Sequence, residues 1–294
     1  MVNFNTVAEL VQLAEEKSLP LHDIVLAREM HTSARSKQAL LDEMQTNWNV
    51  MCAAIERGIK SEERSVSGLA GGDAKKLMRF AGKGFLETDV LQLVAYAVGV
   101  SEVNAVMGRI VACPTAGSCG ILPAALYAAQ RKLGADDAAI VAALFTAAGV
   151  GMIVDQNASI AGAEGGCQAE CGTAAGMAAA ALTELAGGTP AMCANACALA
   201  IKNLLGLACD PVAGLVEVPC VKRNGFCVLH AVLAADMSLA GVQSVLPADD
   251  VIAALAEIGD SMPHSLKETA TGGLAATETG RRLAAKIYPA RANK

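Results

Sequence analysis

Aromatic residues are nearly absent from this chain: one Trp, three Tyr and five Phe make up 3% of 294 residues. A core without them must be built from Ala, Val, Leu, Ile and Met, and small side chains let helices approach closely. Histidine is scarce as well. His22, His31, His230 and His264 form no metal-type pair, and no GxSxG segment offers a nucleophile elbow. Positive charge is in deficit, with a net charge of −6 and a pI near 5.3. That argues against nucleic acid and against an anionic membrane surface, both of which select basic patches. Residues 1–20 carry acids and no long apolar stretch, so no secretory leader is expected and a cytoplasmic location follows. The nearest approach to a membrane span, Ala138–Val154, has 17 uncharged residues. A bilayer needs about 20. The segment reads as a buried core helix that breaks near Gly149–Gly151.

Cysteine, by contrast, is abundant, with ten residues. In the absence of a leader, disulfides are not expected. Most thiols read as small buried hydrophobes, and a few as metal ligands. Apolar periodicity and Gly-rich joints predict an all-α, single helical domain over 1–294. Thr6 to Glu9 fits a capping box before an apolar stripe. Leu41, Met44, Trp48, Met51 and Ile55 form another stripe, which Gly58 is expected to stop. Further helices are expected over 87–110, 136–150, 173–186, 191–205, 229–242 and 249–258. The loop SVSGLAGGDAKKL (65–77) has Asp73 placed to cap the helix after it, and its glycines leave amides free for an anion or a simple turn. The end of the chain is basic (Arg281, Arg282, Lys286, Arg291, Lys294) and reads as a solvated face or frayed helix.

Three segments interrupt the helices with Gly, Pro and polar residues: 113–123, 155–173 and 206–224. Loops held by a rigid scaffold are where function concentrates, and all three contain cysteine. Cys167 follows two glycines, which let backbone approach a bulky inorganic group. Cys167 and Cys171, like Cys193 and Cys197, are four apart and can share a helix face. No CxxC…CxxC spacing appears, so zinc, an iron–sulfur cluster and inert packing all stay open on spacing alone. In 206–224 the density of Pro and Gly around Cys209 and Cys220 argues for an irregular loop.

CPTAGSCGILP (113–123), GAEGGCQAECGTAAGMAAAAL (162–182) and GLACDPVAGLVEVPCVKRN (206–224) together resemble the α chain of iron–sulfur-dependent L-serine dehydratase. SGLAGGDAKKL, NAVMGRIVACPTAG and SLKETATGGLAATETG resemble it too, so the likeness covers nearly the whole chain. The resemblance implies a helical domain whose loops hold a [4Fe–4S] cluster through three cysteines. Cys167 and Cys209 have 41 residues between them and Cys209 and Cys220 have ten, as the family pattern requires. Three protein ligands leave one iron open as a Lewis acid. The implied reaction is dehydration of L-serine and release of pyruvate and ammonia, without pyridoxal phosphate.

The resemblance also implies roles. Thr115 and Ser118 hydroxyls, with the Gly117 and Gly120 amides, would hold the substrate carboxylate. Lys222, Arg223 and Asn224 would bind that carboxylate or offset the cluster's charge, and Lys222 and Arg223 read equally as a solvated turn. Glu164 and Gln168 would hydrogen-bond around the cluster. Cys113 and Cys171 depart from the family's small residues and read as bystanders. The family's β domain, with its Ser-Ser-His loop, has no counterpart in this sequence, so a β chain is the expected partner and no general base is assigned here. Competing readings are β-elimination on L-cysteine or L-threonine, a non-catalytic iron–sulfur carrier, and a zinc-structured module.

Overall fold

Among the described residues, 2–289 of this computed structural model, the chain is all-α: thirteen α-helices and no named strand. The first three are α1 (Val7–Lys17), α2 (Leu21–Ser33) and α3 (Lys37–Gly58). There follow α4 (Asp73–Phe80), α5 (Thr88–Ala105), α6 (Ile121–Leu133), α7 (Asp137–Asn157) and the single turn α8 (Gly162–Gly165). The last five are α9 (Thr173–Leu185), α10 (Pro190–Lys202), α11 (Cys220–Leu239), α12 (Ala248–Ser261) and α13 (Glu278–Ile287).

At the centre lies α9. Its sequence TAAGMAAAALTEL is small and apolar all round, and a helix of that kind has to be enclosed. Every residue from Thr173 to Thr183 is buried, with α7, α10, α11 and α6 packed around it. A Cβ on Gly176 would come within 2.8 Å of Ile201 on α10, so glycine sets how closely these two helices approach. One continuous apolar cluster runs from Phe4 to Leu255.

Several boundaries differ from the sequence-based expectation, each for a tertiary reason. α7 does not break at Gly149–Gly151 but runs unbroken to Asn157. The two glycines admit neighbours instead: a Cβ would lie 2.5 Å from Val25 at Gly149 and 3.1 Å from Met177 at Gly151. α7 is also the one helix among the described residues long and apolar enough to cross a membrane, and 67% of its apolar window is buried inside the protein. α3 does end at Gly58, but that glycine is the contact point of α3 with Gly99 on α5, where a Cβ would overlap backbone. Asp73 does not cap α4. The Glu102 carboxylate of α5 accepts from the Asp73 and Ala74 amides at 2.7 and 3.2 Å, so those amides are not free for an anion. α11 begins at Cys220, nine residues before the expected start, so the Lys222-Arg223-Asn224 cluster lies in a first helical turn and not in an irregular loop.

Other expectations match. Thr6 caps α1 by accepting from Glu9 N, while the Glu9 carboxylate reaches back to Asn5 N at 2.6 Å. Trp48 is buried and donates from Nε1 to Asp137 at 3.2 Å. Of the basic end, Arg281, Arg282 and Lys286 sit on α13; Arg291 and Lys294 lie outside the described residues.

Candidate functional site

Cys167 is delivered by Gly165-Gly166. Gly166 has φ +74, and a Cβ there would meet Met262 Sδ at 2.6 Å, so the approach to Cys167 accepts only glycine. A π-helical turn, Gln168–Gly172, follows at once and turns both Glu170 and Cys171 inward. Cys209 is clamped by the segment after α12: its amide donates to Leu266 O at 2.8 Å, and its carbonyl accepts from Glu268 N at 2.7 Å. Cys220 is the first residue of α11, directly after Pro219. All three thiols are buried.

Cys167 and Cys209 interact directly, and the Cys167 charge acts on Cys220. Cys167 Sγ stands 3.4 Å from Cys171 Sγ. Thiol hydrogen bonds from Cys171 and Cys209, helped by the Arg223 guanidinium, overcome burial and hold Cys167 well below the ordinary thiol range. Its neighbours respond in the opposite direction. Cys209 is raised by its bond to Cys167 and by burial, and Cys220 is pushed up to about 12 by burial and then by the Cys167 charge. The arrangement therefore favours the charged form of Cys167 over those of Cys209 and Cys220. Arg223 stays charged although burial works against it, because Cys167 and Asp210 face it.

Arg223 is fixed at both ends of its fork. It donates to Ala208 O at 2.7 Å and to Asp210 Oδ1 at 2.8 Å. Asp210 Oδ2 in turn accepts from Leu274 N at 2.7 Å, which ties the TGGLAA segment to the cysteine loop. Asn224, one residue on, is fully enclosed. Its Oδ1 accepts from Gly120 N at 2.9 Å, and its Nδ2 donates to Gly117 O at 2.8 Å and Cys220 O at 2.9 Å. Asn224 thus fastens the 113–120 loop to the start of α11.

That loop makes a short 3-10 turn, Ala116–Ser118. Ser118 is fully buried and closes the turn, donating to Cys113 O at 3.3 Å and facing the Thr115 amide at 3.4 Å. Thr115 Oγ1 donates to Glu170 Oε1 at 2.7 Å. In this conformation the Gly120 amide is taken by Asn224 and the Ser118 hydroxyl by its own turn, leaving Thr115 as the loop's link to the cysteines. Lys222 points the other way, to Asp73 at 2.6 Å. Gln168 is buried and bridges Gly206 N and Leu255 O, whereas Glu164 is exposed and bonds Ser159.

Two residues of the site are not marked by any signal in the sequence. Glu170 is the more consequential. Burial pushes its carboxyl up to about 7, with the Cys167 charge adding to the rise. Its Oε2 lies 3.7 Å from Cys209 Sγ, and a Cβ on Gly162 or Gly117 would come within 2.6 or 3.0 Å of its carboxyl oxygens. Asp210 is the other, since a long-range ion pair leaves no periodic trace. Cys171, expected to share a helix face with Cys167 and then read as a bystander, lies 3.4 Å from Cys167 through a π-turn.

Among the described residues no group of three or more His, Cys, Asp or Glu is placed to hold a single metal ion. A polynuclear cluster spreads its ligands more widely than one ion does. Three buried thiols, with the Arg223 guanidinium beside Cys167, are a soft donor set with the charge balance that an iron–sulfur cluster takes.

Residues 16–275 match a protein-family model described as serine dehydratase alpha chain. The chain is similar to a protein named probable L-serine dehydratase, alpha chain, of Bacillus subtilis (strain 168), at 49% identity over 97% of this chain and 95% of that one. It is similar to the L-serine dehydratase, alpha chain, of Peptoniphilus asaccharolyticus at 41% identity, over 95% of this chain and 96% of that one. Against L-serine dehydratase TdcG of Escherichia coli (strain K12) the identity is 36%, over 93% of this chain but only 62% of the relative.

Proposed function

The chain belongs to the serine dehydratase alpha chain family, and on that footing we propose that it is the alpha subunit of an L-serine ammonia-lyase. It converts L-serine to aminoacrylate and water; the imine tautomer then takes up water to give pyruvate and ammonia. Loss of hydroxide from serine is difficult, because hydroxide is a poor leaving group and the α-proton is weakly acidic.

The cofactor proposed is a [4Fe–4S] cluster held by Cys167, Cys209 and Cys220. When bound, it supplies an open iron whose Lewis acidity polarises the leaving hydroxyl. The observation that carries the assignment is that Cys167, Cys209 and Cys220, with 41 and ten residues between them, are all buried, that Cys167 bonds Cys209 and Arg223, and that its charge acts on Cys220.

The chain's own side chains prepare the place. Arg223 offsets anionic sulfur and leans on Asp210, so its fork does not wander. Asn224 keeps the 113–120 loop against α11, and Thr115 presents its hydroxyl between that loop and Glu170. Ser118 acts by closing the turn that places Thr115. Lys222 sits outside this enclosure, on the rim. Burial of Cys167, Glu170 and Asn224 excludes bulk water and strengthens each interaction. The residue that removes the α-proton is assigned to a separate beta chain.

The test is anaerobic reconstitution with iron and sulfide, followed by spectroscopy with and without L-serine and by pyruvate assay with the beta chain. A brown, oxygen-sensitive protein whose spectrum responds to L-serine is expected. A reconstituted protein that retains no iron would end the cluster assignment.

A further inference from the structure

Nine aromatic residues serve the whole chain, yet three of its five phenylalanines face solvent. Phe226 is 76% exposed, Phe80 is half-exposed and Phe85 is wholly exposed. Phe80 and Phe85 flank the joint between α4 and α5, and Phe226 stands on α11, which packs on the same α5. Ala74, Val98 and Val221 form a small apolar cluster, with Leu77 and Val94 packed against it. A Cβ on Gly225 would touch Val94 and Val98. α4 and α11 therefore both lie on α5, and the Lys222–Asp73 ion pair joins their starts. Phe226 is one turn beyond Lys222 on that flank. Phe80 ends α4, Phe85 and Leu86 lead into α5, and Leu233 continues the α11 stripe two turns on. Exposed aromatics in such a stripe mark a protein interface, where Phe, Tyr and Trp are enriched.

Residues 73–83 contain Lys75, Lys76, Arg79 and Lys83 against Asp73 alone, on a chain of net charge −6; Glu62 pairs with Lys75 and Arg79, and Asp73 with Lys76, which leaves a smaller positive surplus. A second copy docked here by a two-fold axis would set this basic rim against itself. A different chain with an apolar patch and an acidic rim fits. The relatives named without a chain designation are longer, and this chain spans only 60–62% of them. Further polypeptide accompanies this fold in those proteins. The face also adjoins the cysteine site: Cys220, Arg223 and Asn224 share the first turns of α11 with Phe226, and Ser65 and Ser67 bond Glu217 at 2.6 Å just before Cys220.

We propose that the face formed by α4, the start of α5 and the outer side of α11 is the seat of the separate beta chain, gripped by Phe80, Phe85 and Phe226. The inference rests on the two-chain reading above.

The test measures binding of purified beta chain to wild-type protein and to Phe85→Asp, Phe226→Asp and, as a control, Leu133→Asp on α6. Phe85 is fully exposed, so its variant folds as wild type does even if Phe226→Asp does not; thermal melts check both. Loss of affinity by about 30-fold or more in both Phe variants, with the control unchanged, is expected, as for central aromatic anchors. Unchanged affinity in folded Phe variants overturns the assignment of this face. Self-association of the wild type that Phe226→Asp abolishes overturns it in favour of a second copy. Failure of the wild type to bind the beta chain at all overturns the two-chain reading, and the face falls with it.

Discussion

Thr115 and Glu170 meet at 2.7 Å across 55 positions of sequence, and through them the 113–120 loop touches the cysteine site. Glu170 is a buried carboxylate in contact with Cys209 on its other side. One side chain therefore spans the loop that carries Thr115 and the loop that carries Cys209.

Glu170→Ala should remove that span. Leaving the buried partner without this hydrogen bond costs about 1–3 kcal/mol, and a small displacement of a positioning group can lower turnover by about 100-fold. Pyruvate formation should fall on that scale while the fold survives. Glu170→Gln retains an acceptor for Thr115 and should lose less. Steady-state assays of both variants, with thermal melts, check the order.

Cysteine replacements should divide sharply. Cys167→Ser, Cys209→Ser and Cys220→Ser are each expected to hold no cluster after anaerobic reconstitution. Cys193→Ser, buried within α10, should reconstitute normally. Cys171→Ser should also bind iron, although its sulfur lies 3.4 Å from Cys167. Iron and sulfide analysis of the five proteins decides each case.

Gly58→Ala places a methyl group on the Gly99 backbone, where α3 and α5 are in contact. Overpacking of this kind costs about 1–3 kcal/mol. Gly134→Ala adds a methyl group in open space and meets only the strain of φ +65, about 1–2 kcal/mol. Thermal melting should place Gly58→Ala at or below Gly134→Ala, and only Gly58→Ala should loosen the α3–α5 contact in hydrogen exchange.

Glu102 yields a pH prediction. Burial raises its carboxyl above the ordinary value, despite the hydrogen bonds it accepts from Asp73 N and Ala74 N. A raised acid binds its proton more tightly when folded. Its contribution is complete below the unfolded pKa and is lost as pH rises through the folded pKa. Denaturant titrations of wild type and Glu102→Gln should show the wild type losing stability relative to the variant over that rise. Parallel curves would remove the argument.

Much of the helical layout was legible in the sequence. The caps at Thr6 and the stripes of α3 and α12 are local periodic signals, and α7 and α9 are too apolar to be surface helices. The misplaced boundaries were not local matters. Gly149 and Gly151 look like a break only until Val25 and Met177 fill the space beside them. Asp73 looks like a cap only until Glu102 arrives from another helix. The start of α11 was hidden because Pro219 reads equally as the end of a loop and the start of a helix.

Residue types and their spacing by themselves settled that the chain is helical, that its core is made of small side chains, and which segments interrupt the helices, because composition and short-range sterics decide these things. Family membership was legible there too, in motifs spread over nearly the whole length. Only the tertiary structure decided which groups face one another: Glu170 on Thr115, Arg223 on Asp210, Cys171 on Cys167, Lys222 on Asp73 instead of the thiols. Apart from the Cys167–Cys171 pair, which helical spacing already suggests, such contacts depend on the directions in which packed segments deliver side chains from different parts of the chain, and no periodicity encodes those directions.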